Sequence, residues 1–428
     1  MIMNINYTKQ VWAHLRQDPL ISTISVLGTA LSIFLIMLVV MLQQVNVAPY
    51  SPESNRNRFL HVSEISYSSK PGMCNQCMSE ETAKELYKSL KTPEAVTIYA
   101  SFCVSSVLSA QNVTPFVAET KQTDNDFWHV FDFDFVSGKP YDKATFNAGR
   151  HVVVISESVA RKLFGKTDVA GKDISLNHSS YQIVGVVKDV SILASIAYAQ
   201  IWVPYSATNA GSFVDNVIGG MLSATILAHN HNELAAIKVE ADKTLALYNR
   251  KLKEKGFNII SRNRPYDQEK QSIAYSANLE PDVSAMHRQQ FIIIAILLLV
   301  PAINLSSMTN SRLRRRISEI GVRRAFGCTR MELLRDIVME NLVTSLLAGV
   351  IGLFICVVFA YWGADLIFAQ SSFGSSNSIQ VNTSMLLQPS TFLYAFVFCF
   401  ILNLISSIIP AWRASHTNIV NALGGRTR

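Results

Sequence analysis

Charge is what this sequence has least of. Of 428 residues only 16% are Asp, Glu, Lys or Arg, against about 25% in an ordinary soluble domain. The deficit sits in four long apolar runs, which excludes a wholly soluble enzyme. Glycine (19) and proline (13) are few while aromatics reach 10%, which excludes a disordered or fibrous chain. Catalytic signatures are missing too. The histidines show no H-E-x-x-H spacing, and no Ser-His-Asp arrangement stands out from chance. Gly165-Lys166-Thr167 ends like a phosphate loop, but the motif's first glycine would fall on Ala160. The segment before it is amphipathic (Val159, Leu163, Phe164), so Gly165 reads as a helix stop. Asp132 and Asp134 alternate with Phe131, Phe133 and Phe135, which predicts a half-exposed strand rather than an acid pair.

What is present is membrane patterning. Ile21 to Leu42 carries no charge; as a helix it covers about 33 Å, enough for a bilayer core of ~30 Å. Further runs are Phe291–Met308, Leu342–Tyr361 and Phe392–Ile409. The exit of the first, Asn46-Val47-Ala48-Pro49, lacks a cleavage pattern and predicts an uncleaved anchor. Segments 1–20, 310–336 and 411–428 together hold thirteen Lys and Arg against four acids, whereas the loop from Gly363 to Thr391 has no basic residue. The positive-inside rule therefore places both termini and the middle loop in the cytoplasm. The pI of about 9.0 reports topology, and nucleic acid is not an expected partner.

The expected fold class is an α-helical membrane protein with four transmembrane helices (1+3) and a large α+β extracytoplasmic domain between helices 1 and 2. Its expected order is a cytoplasmic segment (1–20), a first membrane helix (21–45), an outer domain (46–285) and a second helix (286–309). A cytoplasmic loop (310–336), a third helix (337–364), a short outer loop (365–390), a fourth helix (391–410) and a tail (411–428) follow. Within the outer domain two β-α-β units are expected: Arg58–Ile65, Glu80–Leu90, Val96–Phe102, and later Ser223–Ala228, Asn232–Leu252, Phe257–Ser261. A strand-rich subdomain, about 105–215, is inserted between them, with strands His151–Ile155, Tyr181–Val187 and Ile201–Tyr205 and a helix Glu157–Phe164. Cys74 and Cys77, outside the membrane, read as a local disulfide or an adventitious pair, with a redox or zinc half-site as the remaining readings. No other metal site is expected. Cys356 and Cys399 fall in membrane runs. Ser345/Gly349 and Ala348/Gly352 place small residues at i, i+4, which suits close helix packing or, for either pair alone, a lipid-facing position. Pro301 and Asn304 suggest a kink, as a hinge or as packing.

The loop Asn310–Asp336 is the sharpest feature. It is basic, yet Ile317, Ile320, Val322, Ala325 and Phe326 recur among the arginines, so it reads as a topology signal or as an element docking on a soluble partner. Arg314 through Arg330 resembles the corresponding segment of ABC-type permeases of the MacB/FtsX/LolC-LolE superfamily. Val153–Gly165, Gly171-Lys172 and Val184–Asp189 are similar to the core of the MacB-type periplasmic domain. Pro410–Ala414 with Val420–Leu423 resembles the family ending, although Ile419 and Asn421 depart from it.

That resemblance implies a non-catalytic permease subunit, dimeric with a second copy or a paralogue, in the bacterial inner membrane. It binds no cofactor directly; ATP-Mg sits on a separate ABC ATPase. Glu319, Gly321, Arg323, Arg324, Ala325, Phe326 and Gly327 would form the ATPase-docking helix, with Phe326 filling a pocket and Arg323 and Arg324 meeting acidic groups. ATP-driven motion would pass to the periplasmic domains, which export or extract the substrate. A periplasmic adaptor and an outer-membrane channel are further partners the resemblance admits. A membrane receptor sensing a periplasmic ligand is the competing reading.

Overall fold

The computed structural model describes residues 19–69, 72–110, 113–208, 218–315, 321–323 and 325–363, with isolated positions at 393, 396, 397, 401, 408 and 412. Apart from those positions, the fourth apolar run and the tail lie outside the described residues, as do Glu319, Arg324 and Cys399. Helix α1 spans Pro19–Val47. Val45–Val283 form a sheet unit, while residues 19–44 and 284–363 belong to a helix unit.

In the sheet unit, β1 (Phe59–Val62), β2 (Ile65–Ser69), β3 (Gly72–Met78), the short helix α2 (Glu80–Ala83) and β4 (Ala95–Ala100) come first. An inserted block follows: β5 (Val104–Ser109), β6 (Phe116–Thr123), α3 (Phe127–Val130), β7 (Phe135–Gly138), α4 (Lys143–Asn147), β8 (Val152–Ser156), α5 (Glu157–Phe164), β9 (Asp173–Leu176), β10 (Ser179–Val187) and β11 (Ile201–Pro204). The chain then returns through β12 (Gly219–Gly220), β13 (Leu222–Leu227), α6 (Leu234–Glu254), β14 (Asn258–Ile260), β15 (Tyr266–Asp267) and α7 (Gln268–Ser272).

The inserted strands close on themselves. β11 pairs with β8 and with β6, and β8, β10, β9, β5 and β6 complete the circuit. All six strands contribute to one core that includes Leu108, Ala118, Val153, Ile174, Ile183 and Ile201. The alternation of β8 and β11 is divided between two cores. Val153, Ile155, Ile201 and Val203 face the ring interior, while Val152, Val154 and Trp202 face an aromatic cluster with Phe127, Phe131 and Tyr99. Strands buried on both faces read as unbroken apolar runs, which is how these appear in sequence.

Outside the ring, β13 pairs antiparallel with β4 and β1. α6 lays Leu234, Ile237, Ala241, Tyr248 and Leu252 against that sheet, a stripe at helical spacing. The block meets this sheet at Tyr99 and Thr123, where β4 pairs with β6.

Two expectations need correction and a third is narrowed. Arg58–Ile65 is two strands, because the chain breaks at Ser63-Glu64 and β2 turns away to pair with β3 and β14. Residues 131–134 lie outside any strand; β7 begins only at Phe135. Phe131 and Phe133 still pack inward and Asp134 pairs with Lys188 at 3.0 Å, so the alternation is met by side-chain burial without a sheet partner. Cys74 and Cys77 are free thiols on β3, which removes the local disulfide and leaves the other readings of the pair open. Three strand steps separate their Cα atoms by about 10 Å, beyond the roughly 7 Å limit for a disulfide.

In the helix unit, α8 (Val283–Arg315) carries the run 291–308 and passes through Pro301, and α9 (Arg330–Trp362) carries the third run. Val26–Val47 and Arg330–Trp362 are long and apolar enough to cross a membrane. α9 has the reverse of a soluble helix's pattern. Asn341, Ser345, Ala348, Gly352, Cys356 and Ala360 are buried, whereas Val350, Phe354 and Tyr361 are at least 60% exposed. Small residues inside and large apolar ones outside are the arrangement lipid permits.

Candidate docking site

The turn between α8 and α9 is built from two caps in succession. Residues 321–323 are helical, and the Cys328 amide donates to the Arg323 carbonyl at 3.1 Å. Gly327 sits at φ +97°. This is the six-to-one bond of a Schellman stop, whose left-handed position favours glycine. One residue later Thr329 caps α9: its Oγ1 accepts from the Glu332 amide at 3.2 Å, and the Thr329 amide donates to the Glu332 carboxylate at 2.9 Å. The bond from the Thr329 amide, with help from the Thr329 side chain, holds the Glu332 carboxyl below its usual pKa range. The reciprocal pair satisfies two otherwise orphaned helix donors.

Between the caps Phe326 stands 88% exposed and Val322 43% exposed, beside exposed Arg323 and Ala325. Gly321 is buried. The structure therefore brings Arg323, Ala325, Phe326 and Gly327 together on one corner. Burying an aromatic of this size is worth roughly 2–3 kcal/mol, and the backbone holds it out instead.

The small residues of α9 make the second constellation. Ser345 and Ala348 are 3% and 0% exposed. A Cβ built on Gly349 would run into the Phe396 ring, and one on Gly352 would lie 2.8 Å from the Ala30 carbonyl oxygen and 3.2 Å from Ile33 Cβ. Phe34 meets Phe359 edge-on at 5.6 Å. α1 and α9 thus approach at backbone distance.

Two models of protein families match this chain in order. The MacB-like periplasmic core domain matches residues 22–249, and the FtsX-like permease C-terminal domain matches 291–419. The chain belongs to the MacB/FtsX family of ABC transporter permeases. Among similar proteins, the uncharacterized ABC transporter permease YknZ of Bacillus subtilis (strain 168) is 24% identical over 303 residues, covering 70% of this chain and 68% of that protein. The macrolide export ATP-binding/permease protein MacB of Vibrio parahaemolyticus is 23% identical, covering 81% of this chain. The permease spans about half of that relative, 48%. Among solved structures, the periplasmic region of MacB from Actinobacillus actinomycetemcomitans aligns with a TM-score of 0.34 at 18% identity, covering 49% of this chain and 92% of that one. A domain of a permease from Porphyromonas gingivalis gives 0.38 at 18%, covering 55% and 97%.

One feature of the permease had no signal in its sequence. The Glu53 carboxylate meets the Arg56 guanidinium at 2.6 Å, with the two side chains 0% and 2% exposed. Arg56 also donates to the Val45 carbonyl at 2.7 Å and the Leu193 carbonyl at 3.1 Å. Glu53 accepts from the amides of Ile196 and Ala197 at 3.0 and 2.9 Å. Tyr50 stacks under Arg56, 4.1 Å from its ring centroid, and burial raises the Tyr50 phenol above its usual range. The knot ties the last turn of α1 to the loop at 193–197. Glu53 and Arg56 lie in a polar stretch, so nothing local marks them as buried.

Proposed function

We propose that this chain is the non-catalytic permease subunit of an exporter, driven by a separate ATPase that docks on the corner at Val322–Gly327. The reading rests on Phe326, an exposed aromatic fixed between two helix caps. An aromatic anchor beside an exposed arginine, Arg323, is the composition of a hot spot, and a stop-transfer signal needs only charge. The four-helix, multi-pass topology with cytoplasmic termini, the inner-membrane location and the dimer belong to the same proposal. ATP and Mg would be held by the partner, so this chain needs no cofactor site.

Transmission then follows from stiffness. α9 starts two residues beyond the corner, after Cys328 and Thr329, and runs for 33 residues without a break, about 50 Å of rod. It touches α1 at Gly352, and α1 continues into the Glu53–Arg56 knot. Closure of the ATPases would draw two such corners together and move the outer domains, which handle the cargo.

The test uses full-length permease purified from its host in detergent. Wild-type chain should bring down an ATP-hydrolysing partner, and Phe326→Asp should lose it while inserting normally. Unchanged recovery of the ATPase by that variant refutes the docking assignment; recovery of a signalling enzyme in its place would support a receptor.

A further inference from the structure

We propose that the sheet unit holds a binding site for an anionic amphiphile, a molecule joining one carboxylate or phosphate group to an apolar body. The site is a cavity of about 400 Å³ reached past Phe102 and Tyr275 and walled by Lys121 and Arg264.

Charge decides the ligand's sign. Lys121 is 2% exposed, and its Nζ donates to the Ile196 carbonyl, which leaves donors of a three-hydrogen ammonium unused. Arg264 is 7% exposed; its Nη2 donates to the Ala277 carbonyl at 3.0 Å, and Nη1 reaches only the Ser261 carbonyl at 3.5 Å. Among the described residues neither cation makes an ion pair. A third cation on the wall, Arg56, is already matched by Glu53. Glu64 is the carboxylate on the wall itself, so one positive charge has no carboxylate to match it; beneath Lys121 and Arg264 lie the Tyr99 and Tyr266 rings, at 5.4 and 5.0 Å. A buried charge without a counter-ion is far more costly than a pair, and burial accordingly pulls the Arg264 guanidinium below its usual basicity. An anionic group entering the cavity supplies the missing charge, and a guanidinium fork beside an ammonium suits a carboxylate or phosphate.

The mouth decides the rest. Phe102 and Tyr275 are 61% and 93% exposed, two large rings left in solvent at the opening of a polar cavity. An inorganic anion would have no use for them, whereas an amphiphile places its apolar body there. The volume lies in the range of small-molecule sites.

The experiment uses the full chain in phosphatidylcholine nanodiscs, titrated calorimetrically with hexyl phosphate and with hexyltrimethylammonium. A second arm reconstitutes the chain with phosphatidylglycerol and reads retained lipid by native mass spectrometry, which separates a soluble source from a membrane one. Expected is saturable binding of hexyl phosphate, or specific retention of phosphatidylglycerol, with no binding of the cation. Arg264→Gln and Lys121→Met should each weaken the anion at least tenfold. Tyr275→Ala, at an exposed position that the fold does not need, should weaken hexyl phosphate at least threefold and leave inorganic phosphate unchanged. Failure of both anions to bind, equal binding of the cation, or an affinity that Tyr275→Ala leaves untouched overturns the site. The assignment stands on the cavity alone: Phe326→Asp should leave this binding intact, so the docking reading and this one fail separately.

Discussion

Gly352 and Ala30 meet at backbone distance: a Cβ on Gly352 would lie 2.8 Å from the Ala30 carbonyl oxygen. Any side chain there must push α1 and α9 apart. Gly352→Leu should therefore disrupt the helix pair, lowering the thermal midpoint of the detergent-solubilised chain by several degrees. Val350→Leu, two residues away at a 62% exposed position on another face of the helix, should leave the midpoint unchanged. Equal midpoints for the two variants would show that the contact carries no stability.

The docking corner depends on a left-handed residue. A Cβ on Gly327 meets nothing within 4 Å, so Gly327→Ala carries only the backbone cost of φ +97°, about 1 kcal/mol. Asparagine tolerates that region better. Partner recovery should fall in the order glycine, asparagine, alanine, with Phe326 itself untouched. A ranking that ignores φ would separate the corner's geometry from docking.

The Glu53–Arg56 knot offers an asymmetry. Arg56→Met leaves a carboxylate buried with only two amide donors, and should cost about 3–5 kcal/mol. Glu53→Gln combined with Arg56→Met removes both charges and should recover much of that loss. Chemical denaturation of the three chains checks this, and a double variant no better than Arg56→Met alone would show that the charges do not act as a pair.

His61 sets a pH dependence. It is fully buried between Thr225 Oγ1 at 3.0 Å and Gln268 Oε1 at 2.8 Å, and burial pushes its imidazole down from 6.5 to about 4. The unfolded chain takes up this proton near 6.5 and the folded chain only near 4, so its contribution is complete above the unfolded value. Stability is lost as pH falls from about 6.5 towards 4, by on the order of 3 kcal/mol. The difference in stability between wild type and His61→Gln should shrink across that window. A difference that stays constant from pH 7 to pH 4 would contradict the assignment.

Local periodicity was readable without coordinates. α5 spans Glu157–Phe164 as expected, stopped by Gly165 at φ +69°, because an amphipathic turn ending in glycine needs no distant partner. α6 and the strands β8, β10, β11 and β13 fall within two residues of their expected limits for the same reason. β3 was not anticipated. Its residues, Gly72 to Met78, show no apolar alternation and are buried only at Cys77 and Met78, and they are a strand because β2, β12 and β13 pair with them.

The sequence alone determined which stretches are apolar, where arginine concentrates, and that residues 314–330 carry a family segment, since each is a property of neighbouring residues. It also placed small residues at 345, 348, 349 and 352. Only the tertiary structure decided that Gly352 packs on α1 while Gly349 packs on Phe396, that β11 reaches back to β6 to close a ring, and that Lys121 and Arg264 share one cavity. Those outcomes join residues far apart in the chain, and burial of a charge or a glycine is set by what packs over it.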